Sequence, residues 1–403
     1  MKIEIVKYAL KNLWLRKARS FLTVLSIMIG ISAIFIFASF GLGLYKYVED
    51  IASESGVDIF WVQGKGNSAP GLDDSFKLED KDLRAVDRTN GVEIATGMYV
   101  KVAEVEKDRV KRYVYLMGYS DEREEIKLVE SLMTVKMEKG RQFRKGDIGK
   151  AILGYNYLVP DKIFSKPYKM GDKVEINGRK FDIVGFYESV GNPGDDSNVY
   201  LVQDDAKALF EINSYGMIMA RVHDKDEMDN VVNRAEKKLR NVRDLEEGKE
   251  DFSVQSFADA LETFTSVLNI IVGFIFLIVI ISAIVASVNT ANTMITSVLE
   301  RTREIGVMKS IGATNDNIKN IFILESAVIG FVAGFFGVVV GWLLAYSSGQ
   351  ALDGLGWGFL MPTFPLALWT GCILLSTLVG MFSGFVPAYY ASKQKPVEAL
   401  RYE

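Results

Sequence analysis

The chain has 403 residues, of which 49% are hydrophobic and 24% charged, and its formal net charge is -4. That balance offers no basic field for nucleic acid. A single Cys and a single His, His223, exclude an internal disulfide framework, Cys-rich zinc sites, HExxH metalloproteases and multi-His metal centres. Mean hydropathy is +0.14, high for a soluble enzyme and low for a chain wholly in membrane. It implies apolar stretches joined to a water-soluble domain.

At the N-terminus, Ile3, Val6, Leu10, Leu13 and Trp14 share one helical face, with Lys2, Lys7, Lys11 and Lys17 around the rest. The pattern predicts an interfacial amphipathic helix over 1–19, the alternative being a plain extension of the helix that follows. From Ser20 to Tyr45 no residue is charged. A bilayer core about 30 Å thick needs about 20 apolar helical residues, and buried helices of soluble proteins rarely carry such long apolar runs. A signal-peptide core is only about 7–15 residues long, and no small-x-small cleavage site follows cleanly. Residues 20–45 therefore read as an uncleaved transmembrane helix.

Residues 46–262 read as a folded α+β domain. Val57–Val62 is rich in β-formers; Met98–Glu106 and Val110–Met117 alternate and predict a hairpin turning at Lys107–Asp108. Asn177–Gly178, between Lys173–Ile176 and Arg179–Phe186, is the strongest hairpin signal in the chain. Asn198–Val202 and Met217–Val222 are further strands, and Asp226–Leu239 is an amphipathic helix. The stretch of about 126–211 has its own hairpin and helices, which predicts a second lobe inserted in the first. No catalytic cluster emerges. The Glu188–Asn198 loop carries Glu188, Asp195 and Asp196 without calcium-loop spacing and reads as a turn; His223 reads as a strand end. The G-x-x-x-x-G-K-[ST] pattern is absent: Gly64–Lys65 is followed by Gly66 and has Ile59 where the first Gly is needed, so no nucleotide site is expected in this chain.

Three further uncharged runs follow: Thr263–Leu299, Ser326–Leu352 and Gly354–Ser392. They predict spans at 263–299, 326–352 and 366–392, a connection at 300–325, an outer loop at 353–365 and a tail at 393–403. The first of these would make roughly 55 Å of helix at about 1.5 Å per residue, longer than the hydrocarbon layer. It reads as a rod projecting beyond the bilayer and able to carry movement. Lys and Arg crowd the N-terminal flank, the 300–325 connection (Arg301, Arg303, Lys309, Lys319) and the tail (Lys393, Lys395, Arg401), whereas the loop at Asp353 has none. By the positive-inside bias, both termini and the 300–325 loop face the cytoplasm and the large domain lies outside. Apart from Cys372 and tyrosines the spans hold no ionisable group, which argues against ion-coupled transport. Gly330, Gly334, Gly337 and Gly341 recur at helical spacing and Gly380 and Gly384 form a GxxxG pair, marking a packing seam within the chain or across a dimer.

The 300–314 segment, ERTREIGVMKSIGAT, reads as a short helix exposing both charge signs and ended by Gly312. It closely resembles the cytoplasmic segment of ABC-transporter permeases of the MacB/LolC/FtsX superfamily. The resemblance extends to LRKARSFLTVLSIMIGISA at Leu15–Ala33 and to the tail from Pro396 to Glu403. It includes GRQFRKGD, ILG, GDKVEINGRKFDIVGF and VYLV in the large domain. It implies an α-helical membrane protein of four transmembrane helices, one plus three, with a two-lobed extracytoplasmic α+β domain between helices 1 and 2. It also implies a multi-pass protein of the cell (cytoplasmic) membrane, in contact with its lipids. Such permeases dimerise with a second copy or a paralogue and bind a separate cytoplasmic ABC ATPase. No catalytic, cofactor or metal site is expected here, ATP and Mg being held by that partner. The coupling set would be Glu300, Arg301, Arg303, Glu304, Gly306, Lys309 and Gly312. The implied function is mechanotransmission: ATP-driven movement of the outer domains for export or extraction of an amphipathic cargo, with an extracytoplasmic accessory protein as a further partner. The alternatives are an FtsX-like regulator of a cell-wall hydrolase and a membrane-anchored enzyme. The latter is disfavoured by the missing catalytic cluster.

Overall fold

The structure, a computed structural model, describes residues 17–54, 58–66 and 76–400. The amphipathic helix expected at 1–19 lies outside them except for its last three residues. In chain order the elements are α1 (Lys17–Glu54), β1 (Ile59–Gly64), α2 (Asp80–Asp87), β2 (Val92–Lys107), β3 (Val110–Tyr119), α3 (Arg123–Met133), β4 (Met137–Gly140), β5 (Lys150–Leu153), β6 (Lys173–Ile176), β7 (Arg179–Tyr187), β8 (Val199–Val202), α4 (Gln203–Phe210), β9 (Met217–Val222), α5 (Met228–Val242), β10 (Phe252–Ser256), α6 (Phe257–Glu300), α7 (Thr302–Ser310), α8 (Asn315–Gly354), α9 (Leu366–Ser392) and α10 (Pro396–Leu400). Short 3-10 turns lie between some of them. The described residues form two compact units: 17–45, 267–352 and 360–400 in one, and 46–54, 58–66, 76–266 and 353–359 in the other.

The second unit is β-rich. Its long strand β2 serves two pairings in succession. Residues 92–98 pair β9, extending a sheet of order β10-β1-β9-β2, while 99–107 pair β3. From there β3 pairs β8, β8 pairs β5, β5 pairs β7, β7 pairs β6, and β6 returns to β2 at Val105↔Ile176. The result is a closed six-stranded ring. The segment 126–211, expected as a separate lobe, supplies β5 to β8 of this ring, and residues 99–119 supply the other two strands. Closure removes exposed strand edges, and pairing at such chain separation leaves no local trace in sequence. Alternation along the strands feeds two cores: Val199 and Leu201 join Leu116, Val174, Phe181 and Ile183, whereas Tyr200 and Val202 join Tyr119, Tyr187 and α3. α2 and α5 cover the first core with Val86, Val231, Ala235 and Leu239.

Both predicted hairpins are present, that of β2 and β3 turning at Asp108–Arg109, one residue beyond the expected Lys107–Asp108, because Lys107 still pairs Val110. Asn177 (φ 45°) and Gly178 (φ 77°) close β6 to β7, and Asp108 (φ 51°) and Arg109 (φ 66°) close β2 to β3. Positive φ at both central positions matches the right-handed strand twist. The Glu188–Asn198 loop is built around buried Asp196, which accepts from Ser189 Oγ at 2.6 Å and Val190 N at 2.8 Å. It receives residues 353–359: Phe359 N donates to Gly191 O at 3.3 Å, and Lys162 Nζ donates to Gly354 O at 2.8 Å. His223 is exposed and its backbone N–H bonds Gly91 O at 3.0 Å.

The other unit is helical. Among the described residues α1, α6, α8 and α9 are long and apolar enough to cross a membrane. α1 and α6 meet through polar pairs, Thr23 Oγ1 with Thr293 Oγ1 at 2.8 Å and Asn289 Nδ2 with Ser26 Oγ at 3.0 Å. Most of the apolar side chains of α6 between Val267 and Val288 face outward, as lipid-facing side chains must.

Candidate coupling site

α6 ends at Glu300, the chain bends at Arg301, and α7 begins at Thr302. The bend is held from inside. Arg301 is 6% exposed; its Nη1 donates to Glu325 Oε2 at 3.0 Å and its Nε to Glu304 Oε2 at 3.1 Å. The guanidinium carbon lies 5.5 Å from the centre of the Phe322 ring. One turn on, Ile305 is fully buried with Val298, Ile318, Phe322, Ala388 and Ala391. This cluster joins the end of α6, α7, the start of α8 and the end of α9.

Lys309 closes the same side. Its Nζ donates to Ser392 O at 2.6 Å and Gln394 O at 2.7 Å, just where α9 ends. A cation there satisfies carbonyls left over by the helix and complements its dipole, and burial pushes the Lys309 pKa below the ordinary lysine value. α10 packs against α7, with Ala399 buried. The end of α7 is a Schellman cap: Gly312 N bonds Lys309 O at 3.1 Å and Ala313 N bonds Met308 O at 3.0 Å. Gly312 adopts φ +102° there, a conformation that side chains resist.

The outward face of α7 is different. Arg303, Glu304, Val307 and Ile311 form one helical stripe, and all are exposed. Val307 is 46% exposed and Ile311 81%. Of the seven residues expected to couple, Glu300, Arg303, Glu304 and Gly312 are at the surface, while Arg301, Gly306 and Lys309 are turned inward. Val307, Ile311 and Glu325 were not among them. An apolar residue on each face of so short a helix was a readable signal for the first two. Nothing local marks Glu325, which meets Arg301 from 24 positions away.

The glycines of the expected seam lie inside the helical unit. A β-carbon on Gly330 would sit 2.4 Å from Ser376 O, and one on Gly380 would sit 2.5 Å from Ser326 O. Ser376 also fills the space beside Gly334, and Ser326 the space beside Gly384, so α8 and α9 exchange a serine for a glycine pair in each direction. Further along α8, Gly337 and Gly341 face α1: added β-carbons would lie 2.9 Å from Met28 O and 3.0 Å from Ser32 O. Ser32 Oγ donates across this contact to Gly337 O at 2.8 Å.

A bundle of membrane-length helices, with a β-rich domain between the first and the second and a charged elbow before the third, defines a multi-pass membrane protein. Residues 20–238 match the MacB-like periplasmic core domain and residues 276–396 the FtsX-like permease C-terminal domain. The chain belongs to the MacB/FtsX-type family of ABC transporter permeases. It is 29% identical to an uncharacterized ABC transporter permease of Methanocaldococcus jannaschii, covering 100% of this chain and 99% of that one. It is 27% identical to the uncharacterized ABC transporter permease YknZ of Bacillus subtilis, over 100% of this chain and 99% of that one. The macrolide export ATP-binding/permease protein MacB of Marinobacter nauticus is also 27% identical over 99% of this chain, which spans 61% of MacB's length. Among solved structures, the periplasmic region of MacB from Actinobacillus actinomycetemcomitans covers 56% of this chain and 98% of its own, at 15% identity and a TM-score of 0.43.

Proposed function

We propose that this chain is the permease subunit of an ABC transporter whose ATPase is a separate cytoplasmic protein. On this reading α7 is the coupling helix. Both termini and α7 face the cytoplasm, the β-rich domain lies outside, and the subunit works as a dimer with a second copy or a paralogue. The partner holds ATP and Mg. Its cycle moves α1 and α6, and through them the outer domain, to export or extract an amphipathic cargo.

The observation that carries the reading is the exposed stripe of α7. Val307 and Ile311 present apolar surface on a helix whose inner face is pinned by Arg301, Ile305 and Lys309. Burying such side chains in a partner groove contributes about 1.5–3 kcal/mol each, and flanking Arg303 and Glu304 supply polar contacts that select orientation. Positive charge around the bend supports a cytoplasmic position.

The test is co-purification from native membranes in gentle detergent, with and without ATP. The double substitution Val307→Asp and Ile311→Asp, or charge reversal at Arg303 and Glu304, should lose the ATPase. Stability of the Val307 and Ile311 variant should stay within about 0.5 kcal/mol, as for other surface changes, whereas reversal at Glu304 also removes an acceptor of the buried Arg301 Nε and should cost more. Full complex assembly by both variants would overturn the coupling role. Labelling of Ser310→Cys from outside intact cells would overturn the orientation.

A further inference from the structure

The elbow before α7 contains two charges that apolar packing alone would not require. The Arg301 and Glu325 side chains are 6% and 8% exposed and 3.0 Å apart. Phe322 and Glu325 are one turn apart on α8 and so share a face: one offers its ring to the guanidinium and the other its carboxylate. The apolar part of the elbow is already closed by Val298, Ile305 and Phe322. Desolvation of two charges largely offsets their attraction, so a buried pair adds little net stability over an apolar pair of the same size. It does add direction, because a planar guanidinium fork and a carboxylate accept only a narrow range of mutual orientations. Ile305 and Phe322 could slide over one another; Arg301 and Glu325 could not without losing their contact.

We propose that Glu325 is a positioning residue. Through Arg301 it sets the angle at which α7 leaves α6, and hence the direction in which Arg303, Glu304, Val307 and Ile311 are presented. The inference rests on α7 being the docking helix, but its geometric content can be read with no partner present.

The experiment uses the full chain in lipid nanodiscs. Cys372 is the only cysteine, so Cys372→Ala gives a clean background for spin labels at Val307→Cys on α7 and Phe331→Cys on α8, both exposed sites. The parent should show one narrow distance. Glu325→Gln keeps the shape, removes the charge, and should lose that narrow distance. The apolar pair Arg301→Met with Glu325→Leu should keep the parent's melting temperature and still lose it, which a merely stabilising role would not produce. Retention of the narrow distance in the folded apolar pair overturns the proposal, even if Glu325→Gln fails to fold. The Val307 and Ile311 co-purification test bears on docking alone, so the two readings can fail separately.

Discussion

In the β-rich unit the buried side chains are large. Phe186, Tyr187, Tyr200, Tyr157 and Leu116 are almost fully enclosed. In the helical unit the closest approaches involve glycine and serine, and most of the large side chains of α6 between Val267 and Val288 point away from the bundle. The difference follows from the two solvents. In water, burial of apolar area drives packing and rewards big side chains. In lipid there is no such drive between helices, so close backbone approach and interhelical hydrogen bonds must hold them. The β-rich unit should therefore be damaged by removing atoms, and the bundle by adding them.

The sharpest form of this contrast is Phe186→Ala. It should cost about 3–5 kcal/mol and raise hydrogen exchange across β2 to β9, leaving the amides of α8 and α9 as slow as before. Equal protection loss in both units would break the comparison. The reverse change is Gly330→Ala, whose methyl meets backbone oxygen rather than a side chain that can rotate away. A cost of about 1–3 kcal/mol is expected, seen as faster exchange in residues 322–384 with β5 and β7 unchanged. A neutral result would mean that the Ser–Gly seam is looser than its geometry implies.

The smallest effect concerns charge. Asp147 is buried in the β-rich unit, which alone would raise its pKa. Hydrogen bonds from Arg141 Nη1 and Lys150 Nζ, both at 2.5 Å, and from Arg144 N at 2.9 Å outweigh this and hold the carboxyl well below the ordinary range. A carboxyl whose folded pKa lies below its unfolded value stabilises the fold above the unfolded pKa, and that contribution disappears as pH falls through the folded one. Stability should thus erode below about pH 4. Asp147→Asn should cost about 1–2 kcal/mol at neutral pH, at the low end because Arg141 and Lys150 are partly exposed. It should also flatten this part of the acid limb in denaturant titrations between pH 2 and 7. An unchanged acid limb would remove Asp147 from the account.

Legibility in the sequence tracked the range of the interaction. Uncharged runs, the Asn177–Gly178 turn and the Gly312 helix end rest on local rules and are readable from a few neighbouring residues. The glycines at 330, 334, 380 and 384 were visible as a period, but their serine partners were not, because a lone Ser326 or Ser376 carries no spacing signal. The ring was also hidden: the β6–β7 hairpin was readable from its turn, but β5 is only four residues long and pairs β7 and β8 elsewhere in the chain, and β6 closes the ring by meeting the distant β2.

Length, charge placement and hydrophobic period thus determined by themselves that the chain has apolar helices flanking a mixed domain with a charged bend. Those features depend on solvation of each segment taken alone. Tertiary structure decided which charges of the bend turn inward to Glu325 and the end of α9, and which are left, with Val307 and Ile311, at the surface. A helix four turns long or less has no face until its neighbours cover one of them.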